Sequence, residues 1–557
     1  MQSVPQKELD ERSTALAHAL RERGVRKGDR VAVSLGNGWE SGVVPLNPAF
    51  NSPQVIAALS HLSASHLIIS TETNLPFRAP RENITLLKQI CPDLQAAKVE
   101  SPSVPSLKEI ILVNNSEGRV DAKPLTATID FQELLDGQIG SSAREVVPES
   151  PLMTDDIINI QFTSGTTSMP KAACLTHTGI LNNGFFIGTR MGLTPTDIVC
   201  CPPPMFHCFG SILGYMATAT TGAALLLPSE AFNPSAVLLS IQEERATALY
   251  GVATMFVAEL ELLANKSIEY KGFEHLRTGI AAGSSVPSSL MEKLHSTLNL
   301  TGLTICYGMT ETSPVSCMTF PDDPLQKRLD SVGRLLPHVE AKVVDVADGR
   351  RILPIGGRGE LVVSGYHVMK GYWADETRTA EVRFVQTDEE GNGKAWMYTG
   401  DEAEMDSDGY VKITGRIKDL IIRGGENIHP LEVENCIFRM GEVNEVSVVG
   451  VPDERYGEVV AAFVVVQKGL RVGMDDRGKG EAEVDVLANS TEDKGEGGDR
   501  KGRILTRNMI REWVRERLSN HLMPRYVFWV NEYPKTASGK IQKFKLSKMA
   551  TDWVAKD

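Results

Sequence analysis

The chain has 557 residues, more than one hydrophobic core usually serves, so we expect at least two domains. Hydrophobic residues make up 42% and charged residues 23% of the sequence, as in ordinary globular proteins. The net charge of −13 argues against a general nucleic-acid binder and against a polybasic membrane anchor. No uninterrupted apolar stretch reaches the ~18 residues that a transmembrane helix needs.

The eight cysteines stand at irregular spacings without a C-x-x-C pair, so the sequence indicates neither a zinc site nor a disulfide framework. We interpret the tandem pair Cys200 and Cys201 as small, buried apolar residues. The N-terminus lacks the apolar core of a signal peptide, and the C-terminus is not a peroxisomal S-K-L. The expected location is the cytoplasm, with peroxisome and mitochondrion left open.

In chain order, residues 9–23 have the apolar spacing of a surface helix, and residues 29–35 predict a strand. Further strand-like runs, at 110–113, 157–162 and 223–227, alternate with helical patterns such as residues 234–243. This alternation predicts an α/β fold whose large N-terminal domain has mostly parallel sheets flanked by helices.

The pattern changes near residues 415–425. Downstream, two strand-like runs at 445–451 and 459–466 and a helix at 507–518 predict a small α+β domain. We place the boundary so that the large domain is 1–417 and the small, mobile domain is 418–557. Residues 468–502 are charged, glycine-rich and poor in aromatic residues, and we interpret them as a flexible surface insertion. An acidic interaction segment is the alternative.

A polar loop at residues 163–171, T-S-G-T-T-S-M-P-K, follows the apolar run 157–162, which predicts a buried strand. Its glycine, hydroxyl groups and lysine could hold a polyphosphate. It is not a Walker loop, because Lys171 is followed by a second strand-like run rather than a helix. By itself it could equally be a polar hairpin loop.

Five further segments stand in a fixed order behind this loop. They are Y-G-M-T-E at 307–311, Y-T-G-D at 398–401, G-R-I-K-D at 415–419, R-G-G-E-N-I at 423–428 and P-K-T-A-S-G-K at 534–540. With these six segments the chain resembles the adenylate-forming superfamily of acyl-CoA synthetases, adenylation domains and luciferases, over nearly its whole length. The segments P-M-F-H-C-F-G at 204–210 and K-I-Q-K-F-K-L at 540–546 are most similar to medium-chain-type acyl-CoA synthetases.

Three features depart from that resemblance. Ser168 stands where the family's loop usually has glycine, which costs of order 1 kcal/mol if that position needs a positive φ. Trp39-Glu40 runs directly into residues 41–45, where family members have a helix, and the usual segment before Leu9 is mostly absent. We therefore expect a truncated N-terminal subdomain with apolar surface left uncovered.

The resemblance implies a two-step reaction. A carboxylate attacks the α-phosphate of ATP to give an acyl-adenylate and pyrophosphate, and the thiol of coenzyme A then displaces AMP. The first step joins two anions, so charge neutralisation and in-line positioning are its main needs. The implied co-substrates are ATP and coenzyme A, and Mg²⁺ is the implied metal.

The resemblance also assigns residues to the nucleotide. The implied phosphate ligands are Thr163, Ser164, Gly165, Thr166, Thr167 and Lys171. Glu311 would help hold Mg²⁺, Thr310 would touch the α-phosphate, and Asp401 would accept hydrogen bonds from the ribose hydroxyls. The implied lining of the nucleotide pocket is Gly283, Ser284, Ser285, Tyr307 (stacked on adenine), Gly308, Met309 and Arg416 (on ribose or phosphate).

Lys540 is the implied catalytic lysine, bridging the carboxylate and ATP and stabilising charge at the α-phosphate. Lys418 matches a hinge about which the small domain would rotate between steps. The coenzyme A tunnel would then be lined by Arg423, Gly424, Gly425 and Glu426. His207 could gate the acyl pocket, or it could be a packed histidine. No catalytic cysteine is needed, because the nucleophilic sulfur arrives with coenzyme A.

The acyl pocket would involve residues 183–188, 251–256, 281–283 and 307–309, whose small and apolar side chains predict an uncharged chain or ring. The implied function is an AMP-forming acyl-CoA synthetase for a carboxylic acid, medium-chain fatty acids foremost. Two alternatives stay open: a ligase that loads a carrier protein, and a catalytically impaired nucleotide-binding homologue. Chain length and oligomeric state do not follow from the sequence.

Overall fold

The computed structural model describes residues 4–38, 44–139, 146–163, 171–283, 286, 288–387, 389–467, 470–473, 504–536 and 540–555. The elements and contacts below lie within these residues. Ser168, residues 39–43 and most of the charged segment 468–502 lie outside them. Of that segment, Arg471–Val472 pairs in parallel with Ile504–Leu505.

The first sheet is parallel and has five strands in the order β2-β1-β3-β6-β7. Its strands are β1 Val31–Ser34, β2 Val44–Pro45, β3 His66–Ser70, β6 Glu109–Val113 and β7 Thr128–Asp130, and β4 Glu72–Thr73 pairs with β5 Arg81–Glu82 beside it. The accompanying helices are α1 Gln6–Glu22, α2 Ser52–Leu62, α3 Ile84–Ile90 and α4 Phe131–Asp136. Residues of α2 and α3 pack in one hydrophobic core, and residues of α1 and α4 pack in a second.

The second sheet has seven strands in the order β11-β10-β12-β13-β14-β15-β16. They are β10 Ile198–Cys200, β11 Ala224–Leu226, β12 Ala248–Gly251, β13 Thr278–Ala281, β14 Gly302–Gly308, β15 Val315–Met318 and β16 Arg334–Leu335. The strands from β11 to β14 are parallel, while β15 and β16 are antiparallel. Before this sheet, β8 Ile157–Phe162 and β9 Ala172–Thr176 form an antiparallel hairpin.

Helices pack against this sheet in two hydrophobic cores. One core contains residues of α5, and the other contains residues of α7, α8 and α9. The α-helices are α5 His177–Met191, α6 Ala217–Thr221, α7 Pro234–Glu244, α8 Ala253–Ala264, α9 Ser288–Leu298 and α10 Leu325–Asp330. Phe209–Met216 is a π-helical segment, and Thr310–Thr312 is a 3₁₀ turn.

The third sheet is antiparallel, in the order β17-β18-β20-β19, with β21 paired to β20. Its strands are β17 Val339–Val344, β18 Gly359–Gly365, β19 Arg383–Thr387, β20 Gly393–Met405 and β21 Val411–Arg416, and α11 Glu376–Val382 precedes β19. The 3₁₀ turn Ile417–Asp419 follows β21 directly. The predicted domain boundary therefore falls in a turn between two sheets.

The C-terminal lobe, from Ile421 onward, has a sheet in the order β23-β22-β25-β24 with β28 paired to β25. Its strands are β22 Ile421–Arg423, β23 Glu426–Ile428, β24 Val443–Asp453, β25 Gly457–Val466 and β28 Tyr526–Trp529, with β26 Arg471–Val472 and β27 Ile504–Leu505 apart. The helices are α12 Pro430–Phe438, α13 Arg507–Arg517 and α14 Lys543–Val554, with a 3₁₀ turn at Asn520–Leu522. Residues of α12 and α13 lie in one core, and residues of α14 lie in another.

Local sequence explains several of these element ends. Asn51 and Gln54 form a reciprocal capping box at the start of α2, and Thr176 caps α5. The helix α5 ends at Gly192, whose φ of +64° suits a residue without a Cβ. Asn233 caps α7, with Pro234 in the first turn. Among the helices of the described ranges, none is long and apolar enough to cross a membrane.

Candidate active site

The β8–β9 hairpin positions the two described ends of the predicted phosphate loop. The backbone N–H of Thr163 donates to the carbonyl of Lys171 at 2.8 Å, so the two residues face each other at the hairpin's end. The Nζ of Lys171 lies 4.8 Å from the centre of the Tyr372 ring, within cation–π range. The predicted ligands Ser164, Gly165, Thr166 and Thr167 lie outside the described residues.

The predicted magnesium ligand sits in a turn directly after β14. The Glu311 side chain is buried, and its Oε1 accepts a hydrogen bond of 2.8 Å from the Tyr372 hydroxyl. Thr310 is buried beside it. The bend depends on Gly308, because a Cβ there would lie 1.8 Å from the carbonyl oxygen of Pro314. Lys171, Tyr372 and Glu311 thus form a chain of contacts from the predicted phosphate loop to the Glu311 carboxylate.

A second cluster forms around Asp401 on β20. Its Oδ2 accepts a hydrogen bond of 2.6 Å from the Tyr307 hydroxyl, and Arg416 Nε on the neighbouring β21 lies 3.2 Å from Oδ1. Burial raises the pKa of Asp401, and Arg416 and Tyr307 oppose that rise. The structure thus brings together the predicted ribose residues Asp401 and Arg416. The Tyr307 hydroxyl is engaged with the carboxylate, and its predicted stacking on adenine stays a prediction.

Lys540 reaches the large lobe from the short bridge that joins Lys535 to Ile541. Its backbone is fixed on both sides: the N–H of Thr536 donates to the Lys540 carbonyl at 2.7 Å, and the N–H of Lys540 donates to Thr536 Oγ1 at 3.1 Å. Burial lowers the pKa of Lys540, and its charged surroundings include Arg416, Glu311 and Asp401. The C-terminal lysine and residues predicted to bind the nucleotide therefore share one electrostatic environment.

Lys540 is part of the lining of a mainly apolar cavity. The other described lining residues are His207, Cys208, Phe209, Leu213, Ala282, Gly283, Cys306, Gly308, Met309, Thr310, Pro314 and Val315. Gly283 has a φ of +82°, and a Cβ there would lie 3.4 Å from Lys540 Cε. Its neighbours Ser284 and Ser285, also predicted for the nucleotide pocket, lie outside the described residues.

His207 and Cys208 are neighbouring residues in the lining of this cavity. The Nδ1 of His207 accepts a hydrogen bond of 3.1 Å from the Phe209 N–H, and burial lowers the His207 pKa to about 3. The ring is therefore neutral at physiological pH. Cys208 Sγ lies 3.9 Å from Thr310 Oγ1, and burial raises the Cys208 pKa to about 11. A thiol with that pKa stays protonated, in keeping with a site that needs no cysteine nucleophile.

The four ranges predicted for the acyl pocket divide into two groups. Residues 281–283 and 307–309 contribute to the cavity lining, whereas 183–188 and 251–256 contribute none of its described lining residues. Asn183 instead bonds to both backbone groups of Val315, at 2.8 and 3.0 Å. This amide therefore fixes the strand β15 beside the cavity.

The residue predicted for the hinge lies in the turn before the C-terminal lobe, and those predicted for the coenzyme A tunnel lie in that lobe. None of them is among the described lining residues of the cavity. Lys418 is exposed in the 3₁₀ turn Ile417–Asp419. Arg423 donates to the His521 carbonyl at 2.5 Å, and Glu426 lies 3.4 Å from His521 Nε2. Between them Gly424 and Gly425 have φ values of +62° and +89°, which form the turn from β22 to β23.

A second cavity, which we call the Lys171 cavity, adjoins Lys171. Its described lining is His61, Lys171, Ala172, Tyr372, Trp373, Asp375 and Arg378. Sequence reasoning missed Tyr372, Arg378 and His61, because only tertiary contacts bring α2 and the start of α11 to the phosphate loop. The one usable signal was the aromatic pair Tyr372-Trp373 in an otherwise polar stretch.

The carboxylate of Glu311 suits a magnesium ion that keeps most of its other ligands from phosphate and water. Its Oε1 is engaged by Tyr372, which leaves Oε2 for a metal. Within the described residues, no group of three or more His, Cys, Asp or Glu side chains is placed to hold a metal ion. The eight cysteines of the chain are free thiols, and all of them are buried.

Two family patterns match the chain. The AMP-binding enzyme pattern covers residues 6–373, and the pattern of the AMP-binding enzyme C-terminal domain covers residues 432–540. The chain belongs to the AMP-binding enzyme family. The match confirms the predicted superfamily and the predicted enzyme class, an ATP-dependent ligase that forms an adenylate.

Curated relatives and a solved structure extend this family assignment. The chain is 36% identical to acyl-CoA ligase sidI of Aspergillus fumigatus, over 98% of this chain and 86% of the relative. It is 35% identical to the mouse mitochondrial medium-chain acyl-CoA ligase ACSF2, over 97% of this chain and 82% of the relative. ATP-bound MatB of Rhodopseudomonas palustris superposes with a TM-score of 0.76 at 25% identity, covering 99% of this chain and 94% of MatB. The predicted two-domain α/β fold is confirmed.

Proposed function

We propose that this AMP-binding enzyme is an acyl-CoA synthetase. It would activate a medium-length carboxylic acid, uncharged apart from its carboxylate, with ATP and transfer the acyl group to coenzyme A. The observation that carries the proposal is the apolar cavity with one cation, Lys540, in its described lining. The other ionisable groups there, His207, Cys208 and Cys306, are neutral at physiological pH because burial shifts each pKa toward the uncharged form. Such a cavity suits an anionic head group on an uncharged body. The names of the relatives support the acceptor and the chain-length class.

In the first step, Lys540 would neutralise the substrate carboxylate and the α-phosphate while they approach. Two anions repel each other, and a cation between them stabilises both the encounter and the charge that develops on phosphorus. Thr310, buried in the lining of the same cavity, would donate to the α-phosphate. Tyr372 orients Glu311 through its hydroxyl, and Mg²⁺ held by Glu311 would supply charge neutralisation to the phosphates when bound.

On the other side of the nucleotide, Asp401 would accept hydrogen bonds from the ribose. Tyr307 and Arg416 hold this buried carboxylate in one orientation and favour its charged form. Both oxygens therefore stay available as acceptors in spite of the burial. Arg416 is itself mostly exposed and can also contact phosphate.

The pyrophosphate would leave through the Lys171 cavity. Its described lining carries Lys171 and Arg378 against a single carboxylate, Asp375, which lies 3.5 Å from the Arg378 guanidinium. His61 adds a ring whose Nε2 contacts the Trp373 carbonyl at 3.1 Å. Lys171, the residue expected to hold the β- and γ-phosphates, lines this cavity. The released pyrophosphate would therefore enter the cavity directly from its binding site.

In the second step, the C-terminal lobe would rotate about Lys418 and withdraw Lys540, so that a thiol can reach the acyl carbon. The turn at Gly424 and Gly425 would then face the large lobe and line the coenzyme A tunnel. The buried thiols of the cavity take no part, because the pKa of Cys208 is raised to about 11 and the incoming coenzyme A supplies the sulfur.

The test is a panel of straight-chain acids of increasing length, aromatic acids, dicarboxylic acids and amino acids. The assay measures carboxylate-dependent pyrophosphate release and coenzyme A thioester formation. We expect both activities with acids that carry no charge apart from the reacting carboxylate. We expect neither activity with dicarboxylic or amino acids, because their second charge would enter the apolar cavity. Strict amino-acid selectivity, or pyrophosphate release with transfer only to a carrier protein, would replace the proposal by the carrier-loading alternative. ATP binding without pyrophosphate release by any acid would indicate the impaired homologue.

A further inference from the structure

One buried contact between a histidine and a carboxylate joins the third sheet to the C-terminal lobe. His429 Nε2 lies 3.3 Å from Glu402 Oε2, and both side chains are only 9% exposed. Glu402 belongs to β20, next to the nucleotide residue Asp401, and His429 is the N-cap residue of α12. The pair therefore spans the turn Ile417–Asp419, in which the hinge Lys418 is expected.

Glu402 is held firmly within the large lobe. The Thr414 hydroxyl on β21 donates to its Oε2, and Arg358 Nε lies 4.0 Å from the same oxygen. These contacts do not depend on where the C-terminal lobe stands. The carboxylate is thus a fixed acceptor on the large lobe, and His429 is the partner that the other lobe brings to it.

Among the described residues, Glu402 is the recorded polar partner of the His429 ring. A Cβ at Gly415 would lie 3.5 Å from His429 Nδ1, so the ring lies against the strand that leads into the turn. Within the described residues, Nδ1 is buried without a hydrogen-bond partner. The charged groups that face the ring are Glu402, Arg358 and Glu432, and burial lowers the His429 pKa. A neutral imidazole whose Nε2 lies 3.3 Å from Glu402 Oε2 fits these surroundings.

We propose that the His429–Glu402 pair is a latch that holds the C-terminal lobe in the orientation that inserts Lys540 into the cavity. The two residues are positioning residues: they touch neither substrate nor the reacting atoms and act through Lys540. A rotation about Lys418 separates His429 from Glu402 but leaves Glu402 bonded to Thr414. Loss of the latch therefore disfavours the Lys540-inserted orientation and leaves the rotated one unaffected. This inference rests on the two-step function proposed above.

The experiment compares the two half-reactions in His429→Ala and Glu402→Gln. Pyrophosphate release reports the first, and thioester formation from chemically prepared acyl-adenylate reports the second. We expect His429→Ala to slow pyrophosphate release about tenfold or more, the scale of one hydrogen bond to a charged group, with the second half-reaction unchanged or faster. His429→Gln, whose amide can still donate to Glu402, should restore most of the first half-reaction. The double variant should be no slower than the worse single one, because both remove the same contact.

The matched control is His66→Gln. His66 makes a similar pair with Glu109, at 3.6 Å, but both partners belong to the first sheet. We expect this variant to leave the ratio of the two half-reactions unchanged even if it lowers stability. Equal slowing of both half-reactions in His429→Ala and His429→Gln, or the same change of ratio in His66→Gln, would overturn the latch. A wild-type chain that released no pyrophosphate with any acid would instead overturn the proposed function itself.

Discussion

Removal of the Lys540 ammonium by Lys540→Ala should abolish most of the first half-reaction and spare the second. Lys540 is half-buried in the cavity lining, and burial lowers its pKa, so its charge acts in surroundings less polarisable than water. At an effective dielectric constant of about 20, two unit charges about 4 Å apart interact by about 4 kcal/mol. At about 1.4 kcal/mol per tenfold change in rate, this predicts a loss of about 10²–10³ in pyrophosphate release.

The assay measures carboxylate-dependent pyrophosphate release and, separately, thioester formation from prepared acyl-adenylate. Lys543→Ala is the matched control, because it removes a positive charge three positions away whose partner is Glu434, 2.7 Å distant within the C-terminal lobe. The control should keep both half-reactions. Stability should not fall in Lys540→Ala, because a lysine whose pKa is lowered by burial disfavours the folded, Lys540-inserted state while it is charged. Equal loss of both half-reactions, or an equal effect of Lys543→Ala, would refute the assignment.

Four further results are expected. Because burial lowers the Lys540 pKa, pyrophosphate release should fall with rising pH before an ordinary lysine titrates, and the residual rate of Lys540→Ala should lack this alkaline limb in a pH–rate profile. Gly283→Ala should slow pyrophosphate release selectively, since its φ of +82° disfavours a side chain and the new methyl would contact Lys540 Cε at 3.4 Å; Gly118→Ala, with a φ of +87° and open space around it, controls for the backbone strain of about 1–2 kcal/mol. Tyr307→Phe removes a hydrogen bond that favours ionised Asp401, so the pKa of this carboxyl group should rise further. As the pH is lowered, the KM for ATP should therefore begin to increase at a higher pH in the variant than in the wild type. Arg378→Gln should weaken product inhibition by pyrophosphate, whereas Lys370→Gln, at an exposed lysine paired with Asp155, should not; equal inhibition in both variants would remove Arg378 from the exit route.

Local sequence determined much of the fold. The helix predicted at 507–518 is Arg507–Arg517, and the strands predicted at 445–451 and 459–466 lie within Val443–Asp453 and Gly457–Val466. These elements depend on caps and on apolar periodicity, which neighbouring residues specify. The antiparallel third sheet was not anticipated, since pairing direction depends on which strands meet rather than on their composition.

The order of the six motifs was enough to identify the family and to nominate Lys540, Glu311 and Asp401. The motifs specify residue types and their spacing along the chain. They could not reveal that Tyr372 bonds to Glu311, that Arg378 and His61 share a cavity with Lys171, or that His429 meets Glu402 across the hinge turn. Only the tertiary structure decided these contacts, because they join residues from different sheets and lobes. Their distances depend on how whole layers pack, which no local pattern encodes.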